Sequence, residues 1–286
     1  MSIKAPKPPW LRRRLPAVGQ SAGVFELLSR LTLHTVCQEA HCPNQMECFG
    51  RGTATFLLLG PGCTRQCSFC AVEKNSVTVP DETEPERCAL AVAKLGLHFC
   101  VLTMVTRDDL PDGGAGHVAE TIEAIKKNLP DVGLEVLISD LKGNLTALNT
   151  IIQAQPDVLN HNIETVPRLY SAVRPRADYE RSLEILSEAD ASIPRPATKS
   201  GLMLGLGETG EEVIRVMDDL RESGCDLLTL GQYLAPSKIH HPVVKYIPPE
   251  EFDRLKELAL EKGFTDVASG PYVRSSYQAE QLLKPA

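Results

Sequence analysis

Three cysteines, Cys63, Cys67 and Cys70, stand within one stretch of eight residues, and Phe69 precedes the last of them. Three thiolates in a tight loop can hold three irons of a four-iron cubane, whereas four cysteines would close the cluster. The fourth iron then has no protein ligand, and an open metal position can bind a small molecule. A structural zinc loop is the alternative, but zinc sites usually carry a second Cys or His pair, and none follows immediately downstream. The spacing therefore predicts an iron–sulfur cluster with one open iron.

This loop resembles the signature of the radical S-adenosylmethionine (SAM) family at every position, including the aromatic residue before the last cysteine. In that family the amine and carboxylate of SAM bind the open iron. The resemblance implies that Cys63, Cys67 and Cys70 hold a 4Fe–4S cluster. It also implies that reduction of this cluster cleaves SAM to methionine and a 5′-deoxyadenosyl radical.

A second triplet, Cys37, Cys42 and Cys48, precedes the first in the pattern C-x₄-C-x₅-C. Its three thiolates again supply three ligands of a possible four, so a second cluster would need one more ligand from elsewhere. Three unrelated thiols are the alternative. Six of the nine cysteines lie between Cys37 and Cys70, and an odd number of cysteines fits a disulfide framework poorly. This concentration indicates metal.

The composition is that of a globular chain, with 286 residues, 43% of them hydrophobic and 23% charged, which suits one large α/β domain with an appendage. A formal charge of -7 argues against nucleic acid as the main partner. We find no run of about 18 apolar residues that would span a membrane. The remaining cysteines, Cys88, Cys100 and Cys225, stand singly in apolar segments, as small buried hydrophobes do. We expect a cytoplasmic protein, since free thiols persist in a reducing compartment.

From Thr53 onwards, short β-like runs alternate with helical periods, which predicts repeated βα units around a parallel sheet. The candidate strands are 54–59, 98–105, 134–138, 158–162, 198–204 and 227–233. The candidate helices are 85–95, 118–128, 145–153, 179–189, 211–222 and 250–262. Six such units favour an α/β fold of the partial, six-unit TIM-like barrel type, which the resemblance to radical SAM enzymes also implies. Chemistry in such folds gathers at the C-terminal ends of the strands, where the cluster loop falls.

Polar residues at the ends of these strands could line a SAM site. They are Thr106 after the second strand, Asn162, Glu164 and Arg174 after the fourth, and Lys199 and Gly205 at the two ends of the fifth. Each alone is more typical of a helix cap or a turn, but their coincidence on one rim favours a site. SAM needs acceptors for its ammonium and ribose hydroxyls, a cation for its carboxylate and glycine backbone beside its adenine, which this set could supply.

Further motifs resemble the lipoyl synthase family over essentially the whole chain. They are Pro-Pro-Trp-Leu-Arg at 8–12, Cys-Gln-Glu-Ala-His-Cys-Pro-Asn at 37–44, Arg-Asp-Asp-Leu at 107–110, Asn-His-Asn at 160–162 and Arg-Ser-Ser-Tyr at 274–277. The resemblance implies an enzyme that inserts two sulfur atoms, at C6 and C8, into an octanoyl chain attached to a carrier lysine. It also implies that a second 4Fe–4S cluster at Cys37, Cys42 and Cys48, with Ser276 as fourth ligand, supplies the sulfur.

The partners that this resemblance implies are an octanoylated lipoyl carrier domain, either an H protein or a dehydrogenase E2 subunit, and an electron donor such as flavodoxin or ferredoxin. The basic, Pro-rich start of the chain, with Arg12, Arg13 and Arg14, is predicted to engage an acidic carrier. A solvated, poorly ordered arm is the alternative. We expect residues 1–52 to carry the second cluster, 53–264 to form the barrel, and 265–286 to bring the serine ligand.

Three other functions stay open at this point. A different radical SAM enzyme with a second cluster could transfer sulfur to another substrate. An electron carrier with two clusters would show reversible one-electron chemistry and would consume no SAM. A zinc-stabilised binding module would contain zinc and neither iron nor sulfide.

Overall fold

Seven parallel strands form one sheet in the computed structural model, which describes residues 7–12, 21–74, 77–277 and 279–281. The strands lie side by side in the order in which they occur along the chain. They are β1 (Thr55–Leu58), β2 (Phe99–Met104), β3 (Gly133–Leu137), β4 (Val158–Asn160), β5 (Ala197–Leu204), β6 (Leu227–Gln232) and β7 (Asp266–Gly270). Parallel neighbours require long crossover connections, so the C-terminal ends of all the strands meet at one edge.

Helices precede the sheet and connect its strands. They are α1 (Ala22–Arg30), α2 (Val36–Glu39), α3 (Gln45–Gly50), α4 (Glu84–Leu95), α5 (Ala115–Asn128), α6 (Leu145–Gln153), α7 (Tyr170–Val173), α8 (Tyr179–Asp190), α9 (Gly210–Glu222) and α10 (Pro249–Glu261). Local sequence explains their ends. Thr209 and Glu212 form a capping box at the start of α9, and Gly96 ends α4 with a left-handed φ of 61°.

The predicted fold class is confirmed, and each of the six candidate strands occurs within two residues of its expected bounds. The seventh strand, β7, was not among them. It pairs with β6 from Leu227 opposite Asp266 to Gly231 opposite Gly270, and it lies in the segment 265–286. Only Val267 of its five residues is buried, so the sequence carries no alternating apolar pattern that would have revealed the strand.

Two large apolar clusters hold the helices on the sheet, one around β1–β4 with α4–α6 and the other around β5 and β6 with α9 and α10. The isolated cysteines are fully buried, as predicted; they are Cys88, Cys100 and Cys225. A few buried side chains are polar instead. Glu135 on β3, Asn160 on β4 and Lys199 on β5 are hydrogen-bonded neighbours on one face of the sheet. Buried charges in the middle of strands are unusual and direct attention to this face.

No helix in the described part of the chain is both long and apolar enough to cross a membrane. Trp10 and Arg12 belong to the short described stretch 7–12, and Trp10 is 40% exposed. Arg13 and Arg14 lie outside the described residues, so the predicted contact of the basic arm with a carrier stays a prediction.

Candidate active site

The loop of Cys63, Cys67 and Cys70 follows β1 and lies across the C-terminal ends of the neighbouring strands. The backbone N–H of Thr64 donates to the carbonyl of Thr106, just past β2, at 3.0 Å. Farther along the loop, the N–H of Ser68 donates to the carbonyl of Val173 at 2.9 Å. Backbone bonds to two distant segments therefore fix both ends of this loop.

Arg65, between the first two cysteines of the loop, is the main anchor, and the sequence analysis did not single it out. Its guanidinium is 6% exposed and forms two bonds with Asp108, each of 2.9 Å. It forms two more with Asp140, of 2.9 and 2.6 Å. Burial would raise the pKa of Asp140, but the hydrogen bonds and charge of Arg65 outweigh it and lower that pKa to about 2. The loop is thus tied to the ends of β2 and β3.

The three thiols of this loop suit a cluster better than a single ion. In the ranges that the structure describes, no three or more His, Cys, Asp or Glu side chains converge on a point that one metal ion could occupy. A cubane spreads its ligands over separate irons and needs no such convergence. Burial raises the pKa of Cys67 and raises that of Cys70 to about 12. Iron must therefore displace protons when it binds these thiols.

Three of the predicted SAM contacts come together beyond β4. The side-chain amide of Asn162 donates to Oε1 of Glu164 at 3.0 Å, and Nη1 of Arg174 donates to the carbonyl of Asn162 at 3.0 Å. Glu164 has a φ of +65°, a strained conformation that in non-glycine residues clusters at functional sites. Burial raises the pKa of Glu164, although the charge of Arg174 acts in the opposite direction. The charge of Arg174 also acts on Cys67, so these groups lie beside the cluster loop.

Buried polar atoms without partners surround the same place. The structure has six such side-chain atoms in its described part, and five of them lie at the end of β4 or beyond it; they are Asn160 Oδ1, His161 Nε2, Asn162 Oδ1, Thr165 Oγ1 and Arg174 Nε. Buried polar atoms are normally hydrogen-bonded. Unpaired acceptors and an unpaired guanidinium N–H match a ligand that carries ammonium, hydroxyl and carboxylate groups. SAM has all three, so the residues present fit it.

Three residues of this group, Asn160, His161 and Thr165, were not among the predicted site residues, and His161 is the titratable one. Its Nδ1 lies 3.0 Å from the carbonyl oxygen of Ile138. In the tautomer with the proton on Nδ1, the ring donates a hydrogen bond to this oxygen. Burial, and after it the charge of Arg174, lower the pKa of His161 to about 4. At neutral pH the ring is therefore uncharged, and its Nε2 presents a lone pair to the site.

The other three predicted SAM contacts are used by the protein itself. The carbonyl of Thr106 supports the cluster loop, as described above. Gly205 has a φ of +100° and leaves room for another segment, because a Cβ there would lie 2.3 Å from the carbonyl oxygen of Lys245. The amine of Lys199 contacts the carboxylate of Glu135 at 2.9 and 2.7 Å, and the carbonyl of Ser275 at 2.7 Å. Of the two predicted cations, Lys199 thus has three acceptors within the protein, whereas Nε of Arg174 has none in the described ranges.

The second triplet lies in the short helices before the sheet. Cys37 is in α2 and Cys48 in α3, while Cys42 lies in the connection between them. Their thiols are close enough to influence one another. Burial, followed by the charge of Cys42, raises the pKa of Cys37 to about 12 and that of Cys48 to about 11. Three mutually close thiols, of which those of Cys37 and Cys48 are shielded by burial, fit a second cluster.

The C-terminal segment reaches this triplet. The side-chain amide of Asn44 donates to the carbonyl of Tyr272 at 2.7 Å, and the hydroxyl of Tyr277 donates to Glu47 at 2.9 Å. Between these contacts, the hydroxyl of Ser275 accepts a bond from Asn162 at 2.7 Å. The hydroxyl of Ser276 has no hydrogen-bond partner within the described ranges. Of the two serines, Ser276 is thus the one whose oxygen remains available.

Comparison with known proteins agrees with this geometry. A family model of the radical SAM superfamily matches residues 57–220, from β1 to α9. The chain is therefore a radical SAM protein. The lipoyl synthase of Desulfotalea psychrophila is 56% identical over 99% of this chain and 95% of the relative. The lipoyl synthases of Chlorobium phaeovibrioides and Caldanaerobacter subterraneus are 55% and 54% identical, over 96% and 98% of this chain and the same shares of the relatives. Within the superfamily, the chain belongs to the lipoyl synthase family.

Solved structures that resemble the chain are more distant and bear on the fold alone. A methylornithine synthase has a TM-score of 0.52 and 16% identity, and the match covers 93% of this chain and 86% of that one. Streptococcus suis SuiB bound to S-adenosylmethionine has a TM-score of 0.55 and 11% identity, over 76% of this chain and 50% of that one.

Proposed function

We propose that this chain forms a lipoyl group by inserting two sulfur atoms, at C6 and C8, into an octanoyl chain held on a carrier lysine. The observation that carries the proposal is the position of Ser276 between two tethered neighbours. On one side, Tyr277 bonds to Glu47 in α3 at 2.9 Å. On the other side, Ser275 bonds to Asn162 beyond β4 at 2.7 Å. These two contacts support the proposal, because they hold the intervening serine, whose hydroxyl has no partner in the described ranges, close to α3 of the second triplet and to the residues beyond β4.

The first cluster would be held by Cys63, Cys67 and Cys70. Together with SAM it supplies a carbon radical that can remove hydrogen from an unactivated C–H bond. General acid–base side chains could not remove this hydrogen, because the pKa of an unactivated C–H bond lies far above the pKa of any side-chain base. Arg174 would bind the carboxylate of SAM and Glu164 its ammonium, since hydrogen bonds between charged groups are the stronger ones.

The second cluster would be held by Cys37, Cys42 and Cys48 with Ser276, and in this proposal it is the sulfur substrate. An alkoxide is a hard ligand in an otherwise thiolate-rich site. The serine oxygen should therefore leave its iron readily while the three cysteines stay bound. Ser276 would be the ligand whose departure opens the cluster to the alkyl chain.

The partners in this proposal are an octanoylated carrier domain, of an H protein or a dehydrogenase E2 subunit, and an electron donor such as flavodoxin or ferredoxin. The nine free cysteines call for a reducing compartment, and we propose the cytoplasm.

The test is an anaerobic reaction of the reconstituted protein with dithionite, SAM and an octanoyl-lysyl peptide, followed by mass spectrometry. We expect 5′-deoxyadenosine together with a singly and then a doubly thiolated peptide. Deoxyadenosine without thiolation would retain the radical enzyme and reject this substrate. Protein that carries zinc but neither iron nor sulfide after anaerobic purification would reject the whole proposal.

The serine ligand has its own test. Ser276→Ala and Ser276→Cys should abolish sulfur insertion but leave SAM cleavage unchanged, because the first cluster does not use this residue. Ser223→Ala at the end of α9 is the matched control and should keep both activities. Normal thiolation by both Ser276 variants would contradict the assignment of that ligand.

A further inference from the structure

We propose that Lys199 and Glu135 form a positioning pair that holds Ser275 in place and thereby keeps Ser276 at the Cys37–Cys48 triplet. This inference rests on the proposed role of Ser276 as a cluster ligand. It concerns Glu135 on β3 and Lys199 on β5, which lie on either side of β4. Within the described ranges, neither side chain is hydrogen-bonded to a cysteine of the triplet. Their function would be to fix the turn of residues 274–277.

The pair is buried and completely hydrogen-bonded. Lys199 is 0% exposed and Glu135 is 1% exposed. The amine of Lys199 contacts both oxygens of Glu135, at 2.9 and 2.7 Å, and Asn160 donates to the same carboxylate at 2.8 Å. The remaining contact of the amine is the carbonyl oxygen of Ser275, at 2.7 Å. A lysine has three N–H donors, so this set uses all of them.

Stability alone does not account for such a pair. Desolvating two charges costs about as much as their attraction returns, and apolar residues of similar volume often stabilise a protein as well. Apolar residues could not reproduce the hydrogen bond that Glu135 accepts from Asn160, nor the one that Lys199 donates to the carbonyl of Ser275, and only the latter reaches outside the sheet. We therefore infer that the pair serves to hold the C-terminal segment, in which Ser275 lies 76 positions after Lys199.

Two further features show that the sheet is shaped to receive this segment. Gly231 on β6 has no side chain, and a Cβ at that position would lie 2.2 Å from the carbonyl oxygen of Val273. Asn162 holds the hydroxyl of Ser275 at 2.7 Å, and Gly201 makes room for Asn162, because a Cβ at Gly201 would lie 2.9 Å from its Oδ1. The backbone of Ser275 is therefore held by Lys199 of β5, and its side chain by Asn162 in the connection after β4.

This arrangement divides two tasks between adjacent serines. Ser275 is held by the barrel through Lys199 and Asn162, while Ser276 keeps its hydroxyl free. A ligand that must leave its iron during the reaction cannot also be the residue that holds the segment in place. Because Ser275 does the holding, the serine oxygen can leave the iron and still remain within reach of the triplet.

The experiment compares hydrogen–deuterium exchange of the reconstituted full-length protein with that of K199M/E135Q. This double variant removes both buried charges, keeps an acceptor for Asn160 and loses the bond to Ser275. We expect the backbone amides within 271–277, where Pro271 has none, to exchange about tenfold faster or more, while amides of β6 keep their protection. The Mössbauer spectrum of the second cluster should change, and the SAM-bound signal of the first cluster should not.

The control is E135D, which keeps the carboxylate beside the lysine amine and the bond of that amine to the carbonyl of Ser275, so residues 271–277 should keep their protection. If K199M/E135Q does not give the wild-type circular dichroism spectrum, K199Q/E135Q provides the same comparison, since its two amides can bond to each other. Unchanged exchange at 271–277 in a folded variant would overturn the proposal. Exchange does not depend on thiolation, so this result is separate from failure of the proposed function.

Discussion

Arg65 and Asp140 are joined by two hydrogen bonds, of 2.9 and 2.6 Å, in a place where both side chains are almost completely buried. This pair connects the middle of the first cysteine loop to the residues just after β3. Asp108, on the other side of the same guanidinium, adds the end of β2. A planar group with paired donors can hold two carboxylates in a fixed orientation, which a lysine could not do.

Arg65→Met should therefore destabilise the protein and release the loop. Removing one partner of a buried ion pair leaves a charge without compensation, and we expect a loss of about 3–5 kcal/mol in the free energy of unfolding. Urea denaturation of the cluster-free protein measures this. Arg254→Met, which removes an exposed pair with Glu251, should cost less than about 1 kcal/mol. Equal effects of the two substitutions would contradict the anchoring role of Arg65.

The lowered pKa of His161 predicts that the stability of the folded protein depends on pH. The pKa of about 4 in the folded protein lies below the value of about 6.5 for an unfolded chain. The unfolded state therefore binds the proton first, and the stability that is present above about pH 6.5 falls as the pH drops towards 4. The loss amounts to roughly 3 kcal/mol.

His161→Asn should remove that dependence, because an asparagine amide can replace the Nδ1 donor to Ile138 but does not titrate. Denaturation midpoints at intervals between pH 7 and pH 4 provide the measurement. The exposed His98 is the control, since His98→Asn should leave the wild-type dependence in place. A wild-type slope that persists in His161→Asn would assign the effect to other groups.

Gly231→Ala should displace the C-terminal segment from the sheet. The added methyl group would lie 2.2 Å from the carbonyl oxygen of Val273, so one of the two backbones must move. We expect trypsin to cut after Arg274 about tenfold faster, because cleavage requires local opening. Gly210→Ala is the matched control, since a Cβ there meets nothing within 4 Å. Cleavage at the wild-type rate in Gly231→Ala would show that the segment does not need this close approach.

The cysteines divide into two classes that iron analysis can separate. Replacement of Cys88, Cys100 or Cys225 by alanine should leave the iron content unchanged and cost roughly 1 kcal/mol, the value of a small buried group. Replacement of Cys37 or Cys63 by alanine should lower the iron content instead. Iron loss in any of the first three variants would mean that a ligand has been missed.

The sheet and the cysteine loops were predictable because both depend on neighbours in sequence. The strand and helix periods recur every few residues, and the thiols of each triplet are separated by at most five residues, so the local pattern contains the information. The strand β7 lacks such a pattern. It forms because β6 offers a paired edge, which a local reading of Asp-Val-Ala-Ser-Gly cannot reveal.

The partners of individual charged residues were not predictable in this way. Arg65 meets Asp108 and Asp140 across 43 and 75 positions, and Lys199 meets Glu135 across 64. Residues so far apart in sequence come into contact only when the strands have paired in the correct register. A signal was nevertheless present, because a carboxylate flanked by Leu134 and Val136 in an apolar strand must find a cation. Lys199 near the start of β5 was the matching cation, although the sequence analysis assigned it to a contact with SAM.

The bond between Asn44 and Tyr272 joins residues 228 positions apart, and this separation has a consequence for biosynthesis. A ribosome adds about 5–20 residues per second, so roughly ten to forty-five seconds pass between the appearance of one partner and the other. During that interval the nascent chain contains the thiols of Cys37, Cys42 and Cys48 but not the segment that bonds to Asn44 and Glu47 beside them. Iron that arrives during translation would find the triplet without its C-terminal segment. Iron that arrives after the finished chain is released would find the complete site.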